Sequence, residues 1–544
     1  MKKIFALTVL LSAWICGTKA TVTVSRVLPA DQSTGIAVSP SISIQFSDYI
    51  KSNTDSCYLN GKLVLPEKVT GKTVIIRPKF LSYLTTYTMV VPAGAFKTSS
   101  TAELTPACSF TFTTADRPTP DARIFDAVVT PDGSGDYTTI RAAITAAPEG
   151  RTKPWLIFVK KGIYTELVRV PSTKPYIHLI GEDPDSTILK FTINSDASSI
   201  YGSANFVEAE GESPVLVLKG CDFYSENIKF VNSYGYDNQA GPMALALSSD
   251  CDRLAMNKCS LYSYQDTWET ASSSNSTYRC YAKNCYVEGA VDFIYNGGDC
   301  YFDSCTIGLC RTGTCLTAPS HTSSSKWGYI FMNCNLVSSK PGTVRTENVL
   351  GRPWHNNPKV RYINTRLSKD IAIKDAGWIQ CMGGLPEIFA DYNTMDDRGN
   401  PVDLSKRNNY YYIKDASGTI TGECHAQQYC TENEVSTLNS QNVLYGSDSW
   451  RPDLSMITLD APVIETVSPD RITWKKNPYA ICYVISKNSQ AVNFTTDLNY
   501  KIDDTKAEYT VRAVNDWGGL GNPAVVTSKM LTAVEASKQE EMAV

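Results

Sequence analysis

A cysteine recurs in one short context along the middle of the chain, and this repeat constrains the fold more than any other feature. The copies are Met256-Asn257-Lys258-Cys259-Ser260-Leu261, Ala282-Lys283-Asn284-Cys285-Tyr286-Val287, Phe302-Asp303-Ser304-Cys305-Thr306-Ile307 and Phe331-Met332-Asn333-Cys334-Asn335-Leu336. Tyr362-Ile363-Asn364-Thr365-Arg366-Leu367 keeps the frame with threonine in place of cysteine. Successive spacings are 26 (285−259), 20 (305−285) and 29 (334−305) residues, each the length of about one solenoid rung. A small side chain flanked by apolar residues at alternate positions suits an inward ladder that stacks from rung to rung. A zinc cluster would instead need ligands converging on one point, so no metal is expected here. The fold predicted for residues 122–455 is a right-handed parallel β-helix, opened by one helix over the alanine-rich stretch Arg141 to Ala147, which Pro148 ends. Residues 400–445 read as loops over the last rungs.

The two ends read differently. Residues 21–115 show period-2 alternation at Ile42, Ile44 and Phe46, at Tyr87, Met89 and Val91, and at Phe110 and Phe112. They resemble bacterial Ig-like modules, and Pro118 and Pro120 stiffen the linker that follows. In residues 460–530, the strands around Trp474, Ile481–Ile485 and Tyr509–Val514 are similar to a fibronectin type III sandwich. The chain is therefore expected to be all-β, a β-helix flanked by two β-sandwiches that act as spacers or attachment modules.

Residues 1–20 open with Lys2 and Lys3, followed by an apolar stretch from Ile4 to Cys16 and a small residue at Ala20. That is the pattern of a secretory signal peptide, and the stretch is shorter than the roughly 20 residues that span a bilayer. Secretion, and no membrane association after cleavage, is the expectation. Of 17 cysteines, 16 then remain in an oxidising compartment, where some should pair; Cys57 and Cys108 are candidates for a bridge in the first sandwich. A net charge of −4 without any Lys/Arg run argues against nucleic acid. An acidic polysaccharide held by a few local arginines remains compatible, and a monomer is expected.

Four histidines, no Gly-x-Ser-x-Gly elbow and no His-Glu-x-x-His leave the usual esterase and metallohydrolase signatures absent. Two aspartates stand out instead. Asp266 lies seven residues past Cys259, and Asp292 seven past Cys285. If each cysteine marks the same point on its rung, the two carboxyl groups stack roughly 4.8 Å apart, one strand spacing. So close a pair cannot both ionise easily, which equips one to act as an acid near neutrality. Two aspartates in surface turns would be the ordinary alternative.

Tyr264-Gln265-Asp266-Thr267, Val291-Asp292-Phe293-Ile294 and Gly351-Arg352-Pro353-Trp354, in this order, resemble the signature segments of pectin methylesterases. Gly162-Ile163-Tyr164, Gly377-Trp378 and Phe389-Ala390-Asp391-Tyr392 agree with that likeness, which covers about residues 122–455. The resemblance implies hydrolysis of methyl esters of galacturonan with no cofactor. It implies Asp292 as nucleophile, Asp266 as acid and then base, Gln265 as oxyanion donor and Arg352 as the group orienting Asp292. Trp354 and Trp268 would offer aromatic walls to sugar rings. One departure is plain: Met243 stands where the family usually places a second oxyanion glutamine, and Gln239 is the nearest substitute. Two rival readings are a β-helix pectate or pectin lyase, and a pectin-binding β-helix without catalysis. Methanol release without unsaturated ends separates the esterase from both.

Overall fold

The computed structural model describes residues 22–78, 81–195, 214–380, 382–448 and 450–531, so the expected signal peptide lies outside the described residues. The chain divides into two compact units, residues 1–117 and 118–544.

The first unit is a β-sandwich. One four-stranded sheet contains Val24–Leu28, Ile42–Phe46 and Thr73–Ile76, and a five-stranded sheet contains Thr86–Val91 and Cys108–Thr114. Ile42, Ile44, Phe46, Met89, Val91, Phe110 and Phe112 fill its core, as their alternation predicts. The Cys57–Cys108 bridge is corrected by the register. Cys108 pairs with Val91, while Tyr58 pairs with Val90 on the other side of the same strand. The strand Thr86–Val91 therefore separates the cysteines by two strand spacings, about 9.5 Å. A disulfide requires Cα atoms within about 7 Å. All the described cysteines are free thiols.

The second unit begins with a parallel β-helix of three sheets, with eleven, eight and eight strands among the described residues. The opening helix spans Ile140–Ala146; Thr139 caps it by accepting from the Ala142 N–H, and the Glu166 carboxylate accepts from those of Ile140 and Arg141. Successive rungs hold the predicted frame. Ser260, Tyr286, Thr306, Asn335 and Arg366, each one residue past a ladder position, are register partners from rung to rung. Cys259, Cys285, Cys305 and Cys334 are all buried in the solenoid core. Cys305 Sγ donates to the Ala282 carbonyl at 3.3 Å and Cys334 Sγ to that of Phe302 at 3.5 Å, so these thiols bond one rung back. Inside, Phe302, Phe331 and Tyr362 stack at 4.4 and 4.5 Å with nearly parallel rings. The residue before each ladder position (Lys258, Asn284, Ser304, Asn333, Asn364) has φ between 52° and 55°. Asparagine's frequency there follows from its tolerance of the left-handed region, which turns the chain from the first sheet into the second. Residues 400–445 are more ordered than loops: they include the hairpin Tyr410–Lys414/Ile420–His425 and the strand Gln427–Tyr429, which extends the eleven-stranded sheet.

The C-terminal strands form a three-stranded sheet (Ile464–Ser468, Arg471–Trp474, Asn499–Lys501) and a four-stranded one (Gln490–Thr495, Cys482–Lys487, Tyr509–Val514, Leu520–Val526). This sandwich does not stand apart: it is packed onto the outer face of the eleven-stranded sheet. Phe158, Ile180 and Tyr224 of the β-helix share one apolar core with Cys482, Val484, Val514 and Leu520. The rings of Phe125, Phe158 and Phe494 meet at 4.8 to 5.5 Å. Polar groups are paired across the seam: His178 Nδ1 bonds the Trp517 carbonyl at 3.0 Å, and Glu182 accepts from the Ala491 N–H. Burial pushes the His178 pKa down to about 3, so the ring is neutral in its slot. A chain ended after Ser455 would bare this apolar face, at a cost of more than about 5 kcal/mol from a few large side chains alone. We expect it to be insoluble or to melt far below the full chain. A soluble fragment with an unchanged melting temperature would contradict the shared core.

Candidate active site

The third sheet carries the two aspartates. Gln265 bridges Val291, and Trp268 and Glu269 pair with Ile294 and Tyr295, so one offset of 26 residues holds along both strands and sets Asp266 opposite Asp292. The Asp266 N–H donates to the Val291 carbonyl at 3.0 Å. Both aspartates have left-handed backbones, φ 60° and 48°, a conformation that aspartate tolerates better than most residues. The next strand shows the consequence. From Val291 to Ile294 the chain advances three residues while its partner advances two, Cys315 to Thr317. The extra residue bends the strand and turns the Asp292 side chain off the sheet. Behind each aspartate, two consecutive residues point inward, Thr267 and Trp268 on one rung and Phe293 and Ile294 on the next.

Arg352 reaches Asp292 from two strands away. Its Nε donates to Oδ1 at 2.8 Å and its Nη2 to Oδ2, a two-pronged ion pair that fixes the plane of the carboxylate. The backbone before Arg352 runs tight against its neighbour: a Cβ on Gly351 would stand 2.2 Å from Thr317 Oγ1. Glycine at 351 is thus the condition for the approach of the arginine. Among the described residues Asp266 has no such cation of its own. Its pKa is pushed up to about 8, first by burial, then by the charges of Asp292 and Glu269, with Arg352 pulling the other way. At neutral pH this group is a buried carboxylic acid beside a fixed carboxylate–guanidinium pair.

The sequence model of the pectinesterase family matches residues 126–436, more than half of the chain. This chain belongs to the pectinesterase family. A bacterial Ig-like domain matches residues 18–114. Among relatives of the pectinesterase are pectinesterase 31 of Arabidopsis thaliana, 33% identical over 254 residues that cover 46% of this chain and 75% of that one, and a pectinesterase of Petunia integrifolia, 30% identical over 342 residues covering 59% and 83%. The pectin methylesterase from carrot is similar in structure, with a TM-score of 0.47 and 23% identity, covering 62% of this chain and 97% of that one. The protein is a carboxylic ester hydrolase by family.

Gln265, half-exposed next to Asp266, is lined on one side by the turn at Gly241, where a Cβ would stand 2.6 Å from Gln265 Oε1. The Ala244 N–H donates to the Gln265 carbonyl, so the segment carrying Met243 runs beside the pectinesterase site. Met243 is 40% exposed and brings a thioether where a second amide was sought. Gln239, the nearest substitute, donates one N–H of its Nε2 to the Tyr236 carbonyl of its own short helix at 2.8 Å. Trp354 is partly exposed and packs edge-on against Tyr295 at 5.6 Å, available as a ring wall.

Trp268 is a correction. It is fully buried in the solenoid core, donates Nε1–H to Ser249 Oγ at 2.9 Å and packs against Phe302, so it lines no surface. The residue facing outward on that strand is its neighbour Glu269, which takes hydrogen bonds from Ser248 Oγ at 2.7 Å and Asn296 Nδ2 at 3.2 Å. Glu269 and Tyr295 escaped the sequence reading, although the signal was present. Each lies three residues past an aspartate on adjacent rungs, and they are register partners.

Proposed function

We propose that this pectinesterase removes methyl groups from esterified galacturonan with Asp292 as nucleophile and Asp266 as acid and base. The observation that carries the reading is the pairing of a buried, neutral Asp266 with an Asp292 held by Arg352. Asp292 attacks the ester carbonyl, and Gln265 donates to the oxyanion. Collapse expels methoxide, which takes the proton of Asp266 and leaves as methanol. Acylation removes the negative charge of Asp292, one of the forces that held the Asp266 pKa up, while Arg352 stays beside it. Asp266 therefore remains ionised long enough to take a proton from water. The hydroxide adds to the acyl carbon and Asp292 leaves as carboxylate; the product, formed as the carboxylic acid, gives its proton to solvent and departs as galacturonate, while Asp266 keeps the proton taken from water for the next turnover. Trp354 supplies a ring face to the sugar chain. Neither lyase chemistry nor simple binding accounts for this carboxyl pair.

The test is the pH profile of methanol release. The first step needs Asp266 protonated, so kcat/KM should hold below and fall tenfold per unit above about 8. A profile still rising past pH 9 would remove Asp266 from the role of acid. We further propose that the enzyme is secreted after removal of residues 1–20 and meets pectin outside the cell as a monomer. No helix among the described residues is long and apolar enough to cross a membrane.

A further inference from the structure

Each turnover converts a neutral methyl ester into a carboxylate, so substrate and product differ by one negative charge on a chain that still occupies the groove. What stands next to the reacting pair then matters. The outward-facing row of the third sheet passes from Ser248 through Glu269 to Tyr295, on strands adjacent in the sheet, with Trp354 against the far side of Tyr295. Glu269 stands three residues beyond Asp266, and its charge is felt there, since it is one of the groups that raise the Asp266 pKa. It is also held in place: Ser248 and Asn296 each donate to one of its oxygens, so the carboxylate cannot easily swing away when an anionic sugar approaches. Arg352, the guanidinium at the pair, is occupied by Asp292.

We propose that Glu269 selects by charge, disfavouring a free carboxylate on the sugar beside the reacting ester, so that esters flanked by other esters are hydrolysed first. This rests on the proposed esterase reading of the same site. It predicts that demethylation disperses along the polymer and slows as product carboxylates accumulate. A fixed charge facing a mobile one across a partly wet groove produces discrimination on the order of tenfold, and salt should screen much of it.

The experiment measures initial methanol release from two galacturonans, one highly esterified and one randomly saponified to low ester content. Wild type, Glu269→Gln and Glu269→Asp are compared at about 10 mM and about 0.3 M salt. We expect wild type to prefer the highly esterified polymer, per ester, by about tenfold at low salt. Glu269→Gln should lose most of that preference through KM on the saponified polymer, Glu269→Asp should keep it, and salt should erode it in wild type and Glu269→Asp alike while leaving Glu269→Gln unmoved. An unchanged preference in Glu269→Gln, or a wild-type preference indifferent to salt, overturns the proposal. Failure of wild type to release methanol from either polymer would instead overturn the esterase reading.

Discussion

Asp292→Ala is expected to cut methanol release from esterified pectin by about 10⁴-fold or more, the scale on which loss of a covalent nucleophile is felt. No neighbour can substitute. Among the described residues Asp266 is the other carboxyl brought opposite by the register, and its raised pKa of about 8 keeps it neutral at neutral pH. The change also leaves the Arg352 guanidinium without its two-pronged partner in a mostly covered site, which costs stability as well. Asp292→Asn separates the two effects: it keeps the shape and some of the hydrogen bonding but should be as inactive as alanine. The measurement is methanol against time, with circular dichroism to show that the fold persists. More than about a tenth of wild-type activity in the folded asparagine variant would exclude Asp292 as nucleophile, since no polar effect of that substitution spares a covalent step.

Asp266→Asn should lose about 10³-fold in activity, because methoxide must then depart without a proton and water attack without a base, yet the protein should become more stable. The sign follows from linkage. The folded pKa is raised from 3.8 to about 8, so between those values the native state keeps a proton that the unfolded chain releases. Stability of wild type therefore falls as pH rises through that window and levels off above it. Asparagine, which carries no charge, escapes the penalty. The gain should be absent near pH 4 and greatest at pH 8 and above, where we expect about 2–3 kcal/mol, below the full linkage value because the site is not sealed from water. Thermal unfolding of both proteins at pH 4, 6 and 8 reads it directly. A variant less stable than wild type at pH 8 would mean that Asp266 is not the strained acid proposed.

Much of this site was legible in the residues because a solenoid converts linear spacing into stacking. When rungs repeat in register, equal distances from Cys259 and Cys285 become adjacency, and Asp266 and Asp292 follow. Arg352 lay farther along the chain and entered only through the resemblance of its segment to a known family. Trp268 failed for a local reason: the left-handed turn at Asp266 breaks strict alternation and sends two successive side chains inward. Glu269 took the place on the surface that the tryptophan had been expected to hold.

The amino-acid sequence alone determined the all-β class, the solenoid, the opening helix and the stacking of Asp266 on Asp292, since all of these rest on periodicity and local backbone preference; the roles of the two carboxyls came from the resemblance to a family. Tertiary structure decided what depends on neighbours distant in the chain. A strand between Cys57 and Cys108 keeps their thiols apart, and the last sandwich joins the β-helix in one core. Burial with a carboxylate opposite, rather than anything intrinsic to aspartate, makes Asp266 an acid at neutral pH. Proximity and exclusion of water are properties of the folded chain, and no stretch of residues encodes them on its own.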